Sequence, residues 1–468
     1  MDLTLIGKYY YNIPMNNKFK KFILLAGDIG ILYLSLYLTL LIRYWNKPTN
    51  ELWQSHVGPF TIIFAAWILI FYISNLYDLN LAANNANFFR LTAKGLLISI
   101  LLSIAFFYLT PQISIAPKRN LLIYVIIFAV LFSLWRQFFN WSLKSYLPKN
   151  NIAFVGLNNQ VLELIKKLRE KPHLGYSVAF VVDDKNTGQK NIDGVPIFND
   201  VSRLYSLISS KKITNIILTS DPHQSEELRT ILFSCLPLKI SYTDLPNFYE
   251  NITGRIPIES INQMWFLENL SEGRKSLFSF AKRLYDFVLA LLILFLTFIF
   301  WPIIGIVIKL ESQGPVFFKQ TRTGKGNRPF RIIKFRTMTV INNNFSPTAK
   351  DDNRITKFGS WLRRTRIDEI PQVINILQGE MSFVGPRPER PELIEELEDK
   401  IPFYNERLLV KPGITGWDQI SGEYHSPSQE DTLKKLQYDL FYIKNRSIYL
   451  DLSIILKTVA TVISHKGI

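Results

Sequence analysis

Residues 284–310 read LYDFVLALLILFLTFIFWPIIGIVIKL, an apolar run long enough to cross a membrane but interrupted at Trp301-Pro302. About twenty apolar residues suffice for a crossing helix. A simple crossing would put everything after residue 310 on the opposite face from the basic residues that precede the run, Arg274-Lys275 and Lys282-Arg283. Proline removes one backbone hydrogen bond and clashes with the preceding turn, so a helix broken at Pro302 can bend and return to the face it left. The run therefore predicts a re-entrant helix-break-helix over about 284–310.

Upstream lie four further apolar stretches: Phe22 to Trp45, Phe60 to Tyr77, about Leu91 to Thr110, and Leu121 to about Leu143. The first is too long for a signal-peptide core and lacks a small-residue cleavage site after it, so it is expected to remain. Four such runs in residues 1–148 predict a transmembrane four-helix bundle rather than buried core helices. Lys8, Lys18, Lys20, Lys21, Arg90, Lys94, Lys144 and Lys149 flank one side; Arg43, Lys47, Lys118 and Arg119 flank the other. The bias favours cytoplasmic termini for the bundle. No charged residues are expected to pair deep among the spans, which argues against a transporter.

Residues 149–270 alternate short apolar runs with amphipathic ones. Ile152 to Gly156 reads as a buried strand, Val161 to Arg169 as a helix, Val178 to Val182 as a strand ending in Asp183-Asp184, Ile213 to Leu218 as a strand, and Glu226 to about Cys235 as a helix. That order implies a parallel, doubly wound, Rossmann-like sheet. Gly156 is followed by Leu157-Asn158-Asn159-Gln160 rather than further glycines, so a dinucleotide fingerprint is absent and a regulatory or packing module is expected.

Composition narrows the chemistry. Of 468 residues 48% are hydrophobic and only 20% charged, and the mean hydropathy is +0.11, above what a soluble core requires. A single cysteine, Cys235, excludes a disulfide framework or a cysteine metal cluster, and five scattered histidines argue against a zinc enzyme. The net charge of +16 asks for an anionic partner. Most of it lies between Lys319 and Ile367, where Lys319, Arg322, Lys325, Arg328, Arg331, Lys334, Arg336, Lys350, Arg354, Lys357, Arg363, Arg364 and Arg366 are opposed only by Asp351 and Asp352. Directly after a membrane segment, such a stretch fits anionic headgroups and a phosphorylated substrate better than nucleic acid.

The next residues are Arg366-Ile367-Asp368-Glu369-Ile370-Pro371-Gln372. Pro371 suits the first turn of a helix running through Val373 to Leu377, which puts Asp368 and Glu369 at or just before its N-terminus. The acids read equally as helix capping or as a dyad facing a magnesium-bound diphosphate. Downstream, Gly385-Pro386-Arg387-Pro388 presents an arginine from a stiffened backbone, and Lys411-Pro412-Gly413-Ile414-Thr415-Gly416-Trp417 forms a rigid turn.

Taken in order, these strings resemble the bacterial sugar transferases of the monotopic phosphoglycosyl transferase superfamily. The resemblance runs from about Lys282 to the C-terminus. It is carried by Lys282-Arg283, Gly314-Pro315-Val316, Lys334 to Met338, Leu362 to Gln372, Gly385 to Pro388 and Lys411 to Trp417, and continues into Tyr438-Asp439-Leu440 and Tyr442 to Ser447. The spans and the Rossmann-like middle are similar to the long form used in exopolysaccharide, capsule and O-antigen pathways. The implied fold is a mostly α catalytic domain, residues 271–468, on a re-entrant membrane helix. The implied reaction moves a hexose 1-phosphate from a UDP-sugar, UDP-glucose or UDP-galactose being the family expectation, to undecaprenyl phosphate.

By that resemblance Asp368 is the nucleophile that takes the phospho-sugar and releases UMP, Glu369 is its partner, and Mg2+ is the cofactor, with Asp368 among its ligands. Arg387, Lys334, Arg336 and Arg364 are the implied phosphate-binding residues, and Pro302 the helix break. The implied setting is the bacterial inner membrane with the catalytic domain cytoplasmic, membrane lipids and no nucleic acid as partners, and a homodimer. Four departures stand out. Trp301 replaces a usual serine, which removes the hydroxyl expected at the break; Gln313 and Asn353 replace prolines; Asp418 replaces alanine and reflects sugar choice or a loop exchange. The competing expectation is an inactive membrane-anchored scaffold or regulator that binds a nucleotide.

Overall fold

A computed structural model describes residues 17–45, 48–79, 84–110, 117–145, 150–183, 191–219, 225–270, 276–339, 352, 354–421 and 428–464. Lys8, Lys47, Lys149, Asp184, Arg274, Lys275, Lys350, Asp351 and Asn353, all used above, lie outside them. Two compact units result, residues 1–245 and 246–468.

The first unit opens with four long helices, α1 (Asn17–Tyr44), α2 (Asn50–Ile73), α3 (Ala86–Leu109) and α4 (Pro117–Ser145). All four are long and apolar enough to span a membrane. The second begins ten residues earlier than the apolar run suggests, because Thr49 caps it and Pro59 is accommodated inside it. Their shared core is aromatic: Phe60, Phe64, Trp67 and Phe71 recur at helical spacing along α2 and meet Tyr124, Phe128 and Phe132 of α4.

One expectation fails here. Arg136 of α4 lies 2.5 Å from Asp28 of α1, both sealed from solvent, so a charged pair does sit deep in the bundle. The Arg136 guanidinium also donates to Leu76 O at 2.6 Å and is covered by the Phe132 ring at 4.9 Å. Each charge stands alone in an apolar run, so only the tertiary approach of α1 to α4 reveals the pair. Gly27 permits that approach, since a Cβ there would meet the Trp135 ring at 2.1 Å.

The same unit continues into an α/β sheet: β1 (Asn150–Val155), α5 (Asn159–Glu170), β2 (Tyr176–Val182), β3 (Asn191–Ile192), β4 (Val195–Phe198), α6 (Leu204–Lys211), β5 (Asn215–Leu218), α7 (Glu226–Ser234) and β6 (Ser241–Asp244). The order is β3-β4-β2-β1-β5-β6, parallel except for the β3–β4 edge hairpin. The parallel strands thus follow the doubly wound pattern, reversing direction about β1 and β5. Cys235 is fully buried against this sheet, a small hydrophobe as its surroundings suggest.

The second unit contains α8 (Leu245–Thr253), α9 (Gln263–Asn269), α10 (Ser276–Phe298), α11 (Trp301–Glu311), β7 (Phe317–Thr323), β8 (Pro329–Phe335), α12 (Lys357–Thr365), α13 (Val373–Gln378), β9 (Ser382–Val384), α14 (Pro391–Lys400), β10 (Gly413–Thr415), α15 (Gln429–Asn445) and α16 (Ile448–Ser464). It is mostly helical, with one antiparallel hairpin, β7–β8, and one short parallel pair, β9–β10. Its boundary lies near 245 rather than 270. Ile256, Ile258 and Trp265 are buried in the C-terminal core, Glu250 meets Lys444 at 2.7 Å, and Trp417 donates to Gly254 O at 2.9 Å.

Helices α10 and α11 are bent by 62° at Phe298–Trp301. Pro302 occupies the first turn of α11, where its missing N–H costs nothing. The hydroxyl expected to be missing at the break is supplied by Thr297, which accepts from Trp301 Nε1 at 3.3 Å while donating to Ile293 O. Trp301 is itself buried edge-on against Phe317 and Phe335 of the hairpin, with ring centroids 5.9 and 5.6 Å away. In this chain an aromatic wedge, together with the proline, fixes the bend.

Candidate active site

Helix α12 ends at Arg366, a non-glycine residue in the left-handed region (φ 57°), which turns the chain into a short 3-10 helix, Ile367–Gln372. Asp368 and Glu369 occupy its first turn and are 8% and 7% exposed. Such a conformation is uncommon for a side chain with a Cβ, and it stands two residues before Asp368.

The strand β8 lies against this turn. Along it Phe330, Ile332 and Lys334 share one face by strand alternation. The first two are buried, and Lys334 Nζ donates to Glu369 Oε1 at 2.7 Å. Arg387 Nη2 approaches the same oxygen at 3.6 Å and Arg366 Nη1 at 4.0 Å. Asn375, buried on α13, ties this strand to the helix after the dyad by accepting from Ile333 N and donating to Arg331 O.

The two neighbouring carboxyls are driven apart electrostatically. Burial alone would raise Glu369, but the charges of Lys334 and Arg387, the Lys334 hydrogen bond and Arg366 outweigh it and hold Glu369 at about 2. Burial first, and then the Glu369 charge, raise Asp368 to about 6 against Lys334, Arg363 and Arg366. Lys334 moves down, because burial and the like charge of Arg387 exceed the pull of Glu369. With an ionised carboxylate at 2.7 Å it remains the cationic member of the pair. Asp368 Oδ1 is buried without a hydrogen-bond partner. One carboxylate is thus neutralised on the spot while its neighbour keeps a free oxygen.

Of the residues expected from sequence, Asp368, Glu369, Lys334 and Arg387 come together. Arg336 does not. It is 4% exposed and donates to Ser312 O at 2.7 Å and Gln313 O at 2.8 Å, satisfying carbonyls at the C-terminal end of α11. It stands one residue past the end of β8, and there its side chain turns to the end of α11 instead of continuing the face of Lys334. Arg364 does not join either: it lies exposed on α12 and has no ion pair among the described residues. The arginines of that helix which act on the dyad are Arg363, through Asp368, and Arg366, through both acids. Their three-residue spacing on a helix that ends at the dyad was the available signal.

The two glycine motifs are explained by backbone contact. Gly385 and Gly413 flank the β9–β10 pair, and a Cβ on Gly385 would meet Lys411 O at 2.3 Å, one on Gly413 the Gly385 N at 2.2 Å. Trp417 stacks on Phe441 at 5.3 Å. Asp418 acts not on the dyad but on Asp439, whose carboxyl is raised to about 7 by burial first, with Asp418 adding to it against Arg407. The departure at Asp418 is therefore a change beside a buried ion pair.

At the entry end of the bent helix pair, Arg283 donates to Ile376 O and Leu377 O at 2.5 and 2.8 Å, capping α13 just after the dyad. Lys282 pairs with Asp451 of α16 at 2.6 Å.

A family model described as bacterial sugar transferase matches residues 277–465. A model described as a CoA-binding domain matches residues 72–241. The chain is 37% identical over 252 residues to a UDP-N-acetylgalactosamine-undecaprenyl-phosphate N-acetylgalactosaminephosphotransferase of Aeromonas hydrophila, covering 53% of this chain and 58% of that relative. It is 32% identical over 346 residues, 71% of each chain, to a UDP-glucose:undecaprenyl-phosphate glucose-1-phosphate transferase of Xanthomonas campestris pv. campestris. It is 39% identical over 191 residues to the exopolysaccharide production protein PSS of Rhizobium leguminosarum bv. phaseoli, 38% of this chain and 94% of that one.

Proposed function

The chain belongs to the bacterial sugar transferase family, and from that premise we propose that it transfers a hexose 1-phosphate from a UDP-sugar to undecaprenyl phosphate, releasing UMP. UDP-glucose or UDP-galactose is the proposed donor, with the N-acetylated hexose of the Aeromonas relative as its competitor. The product would begin a repeat unit in exopolysaccharide, capsule or O-antigen synthesis, as the name of the Rhizobium relative suggests.

The observation that carries the proposal is the free, buried oxygen of Asp368 beside a Glu369 held by three cations. Asp368 attacks the β-phosphorus of the donor, the bond from that phosphorus to the bridging oxygen breaks, and UMP leaves with the electron pair. An oxygen of undecaprenyl phosphate then attacks the same phosphorus and returns the carboxylate to Asp368. Splitting the transfer lets a soluble nucleotide and a lipid use one site in turn. Lys334 and Arg387 keep Glu369 ionised and place positive charge where the diphosphate must sit, and Arg363 and Arg366 add to that field.

Magnesium fits the residues present in a limited way. No group of three metal-ligating side chains exists among the described residues, whereas Asp368 offers one unpartnered oxygen. Mg2+ is commonly held by one or two carboxylates together with substrate phosphates and waters, so Asp368 would hold it only with the donor. When bound it would offset charge on the diphosphate.

Both ends of the bent helix pair support a re-entrant rather than crossing arrangement. The entry end is tied through Arg283 to α13, and the exit end through Arg336 to β8, elements of one domain. A 23-residue helix is about 34 Å long, so a single crossing would leave those ends on opposite faces of the bilayer. Four preceding spans would then keep the catalytic domain on the cytoplasmic side of the inner membrane, where UDP-sugars are made. The test is UMP release by solubilised protein with magnesium across a panel of UDP-sugars, with and without undecaprenyl phosphate. Release dependent on one sugar supports the transfer; no release from folded protein with any sugar favours the inactive scaffold.

A further inference from the structure

The loop that carries Arg387 is held from outside, carbonyl by carbonyl. Pro386 O accepts from Gly413 N at 2.9 Å, Arg387 O from Arg407 Nη2 at 3.0 Å, Pro388 O from Arg322 Nη1 at 3.2 Å, and Glu389 O from Thr323 N at 2.9 Å. Prolines at 386 and 388 remove two N–H groups and fix two φ angles, so the loop has few bonds of its own with which to set its shape. Of the four holders, Arg407 acts on Arg387 itself.

Arg407 is only 6% exposed and comes from the segment between α14 and β10. Its guanidinium lies 2.8 Å from Asp439 Oδ2 on α15, and Nη1 donates to Tyr404 OH at 2.6 Å. Asp439 is 3% exposed. Burying such a pair is expensive, and apolar residues of similar volume often serve stability as well or better. What an apolar substitute cannot do is hold a carboxylate, a phenol and a carbonyl at once. That takes the planar five-donor fork of arginine, which lysine does not reproduce.

We propose that Arg407 is a positioning residue for phosphate recognition: from its buried seat between Asp439 and Tyr404 it grips the Arg387 carbonyl and so aims the Arg387 guanidinium at Glu369 and the donor diphosphate. The role rests on the transfer reaction proposed above, because it acts through a residue placed there at the substrate. Asp439, Arg407, Arg387 and Glu369 form one line of contact from the core of α15 to the dyad. Its first two links, Asp439 and Arg407, lie behind the substrate-facing Arg387 and act only through it. Arg322, counted by sequence among the substrate-facing charges, serves the same loop at Pro388.

A double-mutant cycle tests the role. Arg407→Lys is made in the parent and in an Arg387→Ala background, and both UDP affinity by calorimetry and UMP release are measured. If Arg407 acts through Arg387, Arg407→Lys weakens UDP binding and slows UMP release by about 10-fold or more in the parent, but by less than about 3-fold once Arg387 is gone. Equal losses in both backgrounds, or no loss in the parent, overturn the proposal. Should Arg407→Lys fail to fold, the charge-neutral pair Arg407→Met with Asp439→Leu is put through the same cycle, with the same expectation. Failure of the transfer reaction looks different: the parent binds UDP and shows the coupling, yet releases no UMP from any UDP-sugar.

Discussion

Glu369 Oε1 lies 2.7 Å from Lys334 Nζ, and the same oxygen also draws Arg387 and Arg366 to 3.6 and 4.0 Å. Asp368, one residue earlier, keeps a buried oxygen with no partner. Two adjacent carboxyls with opposite electrostatic treatment are the pattern expected where one is to react and the other to organise charge.

Replacing Lys334 tests the organising half. Lys334→Met preserves most of the apolar stem but leaves Glu369 without its nearest cation. UMP release should fall by about two orders of magnitude, the range found when one preorganised electrostatic donor is removed. Steady-state kinetics check this, with thermal unfolding to show that the fold survives.

The raised carboxyl of Asp368 makes a stability prediction with a definite sign. Its folded pKa is about 6 against an ordinary 3.8. The folded state therefore binds the proton more tightly than the unfolded one, and the wild type loses stability as pH rises from about 4 to about 6. An asparagine there carries no such cost. Asp368→Asn should unfold at higher temperature than wild type above pH 6, by up to roughly 3 kcal/mol, with the gap closing toward pH 4. Thermal scans of metal-free protein across that range measure it, and equal melting at pH 7 would contradict the burial argument.

Arg336 and Arg387 should separate cleanly. Arg336→Ala strips the end of α11 of its donors and ought to lower the melting temperature, leaving the KM for the UDP-sugar close to wild type. Arg387→Ala should do the reverse, raising KM with little change in melting.

At the helix break, Trp301 should matter more than Pro302. The proline stands in the first turn of α11, where alanine is also accepted, whereas Trp301 is wedged against Phe317 and Phe335. Trp301→Ala is expected to cost about 3 kcal/mol or more. Pro302→Ala should leave a cysteine placed at Gln320 shielded from an impermeant thiol reagent in intact cells. Labelling of that cysteine in the otherwise wild-type chain would contradict the re-entrant arrangement.

Much of this was legible in the sequence because it is local. The four spans, the alternating middle, the break before Pro302 and the Asp368-Glu369 pair each announce themselves within a few turns of chain. What the sequence concealed was long-range. Arg336 and Lys334 are two residues apart in a basic run, and simple alternation would put them on one face, yet β8 ends at Phe335 and Arg336 turns to the end of α11 while Lys334 meets the dyad. Arg363, Arg364 and Arg366 look interchangeable until helical phase and the left-handed turn at Arg366 separate them. Asp28 and Arg136 are lone charges in apolar helices, and only tertiary packing makes them a pair. The stretch from 246 to 270 reads as the tail of the α/β module, but Trp417 and Lys444 bind it to the C-terminal unit.

The most direct test of the central claim is to look for the covalent intermediate. Solubilised protein is incubated with magnesium and its preferred UDP-sugar without lipid acceptor, quenched in acid, digested and weighed by mass spectrometry. A hexose phosphate on the peptide containing Asp368, absent from Asp368→Asn and discharged by added undecaprenyl phosphate, is the predicted result. Turnover that persists in Asp368→Asn, or a label on another residue, would contradict the assignment of Asp368 as the nucleophile.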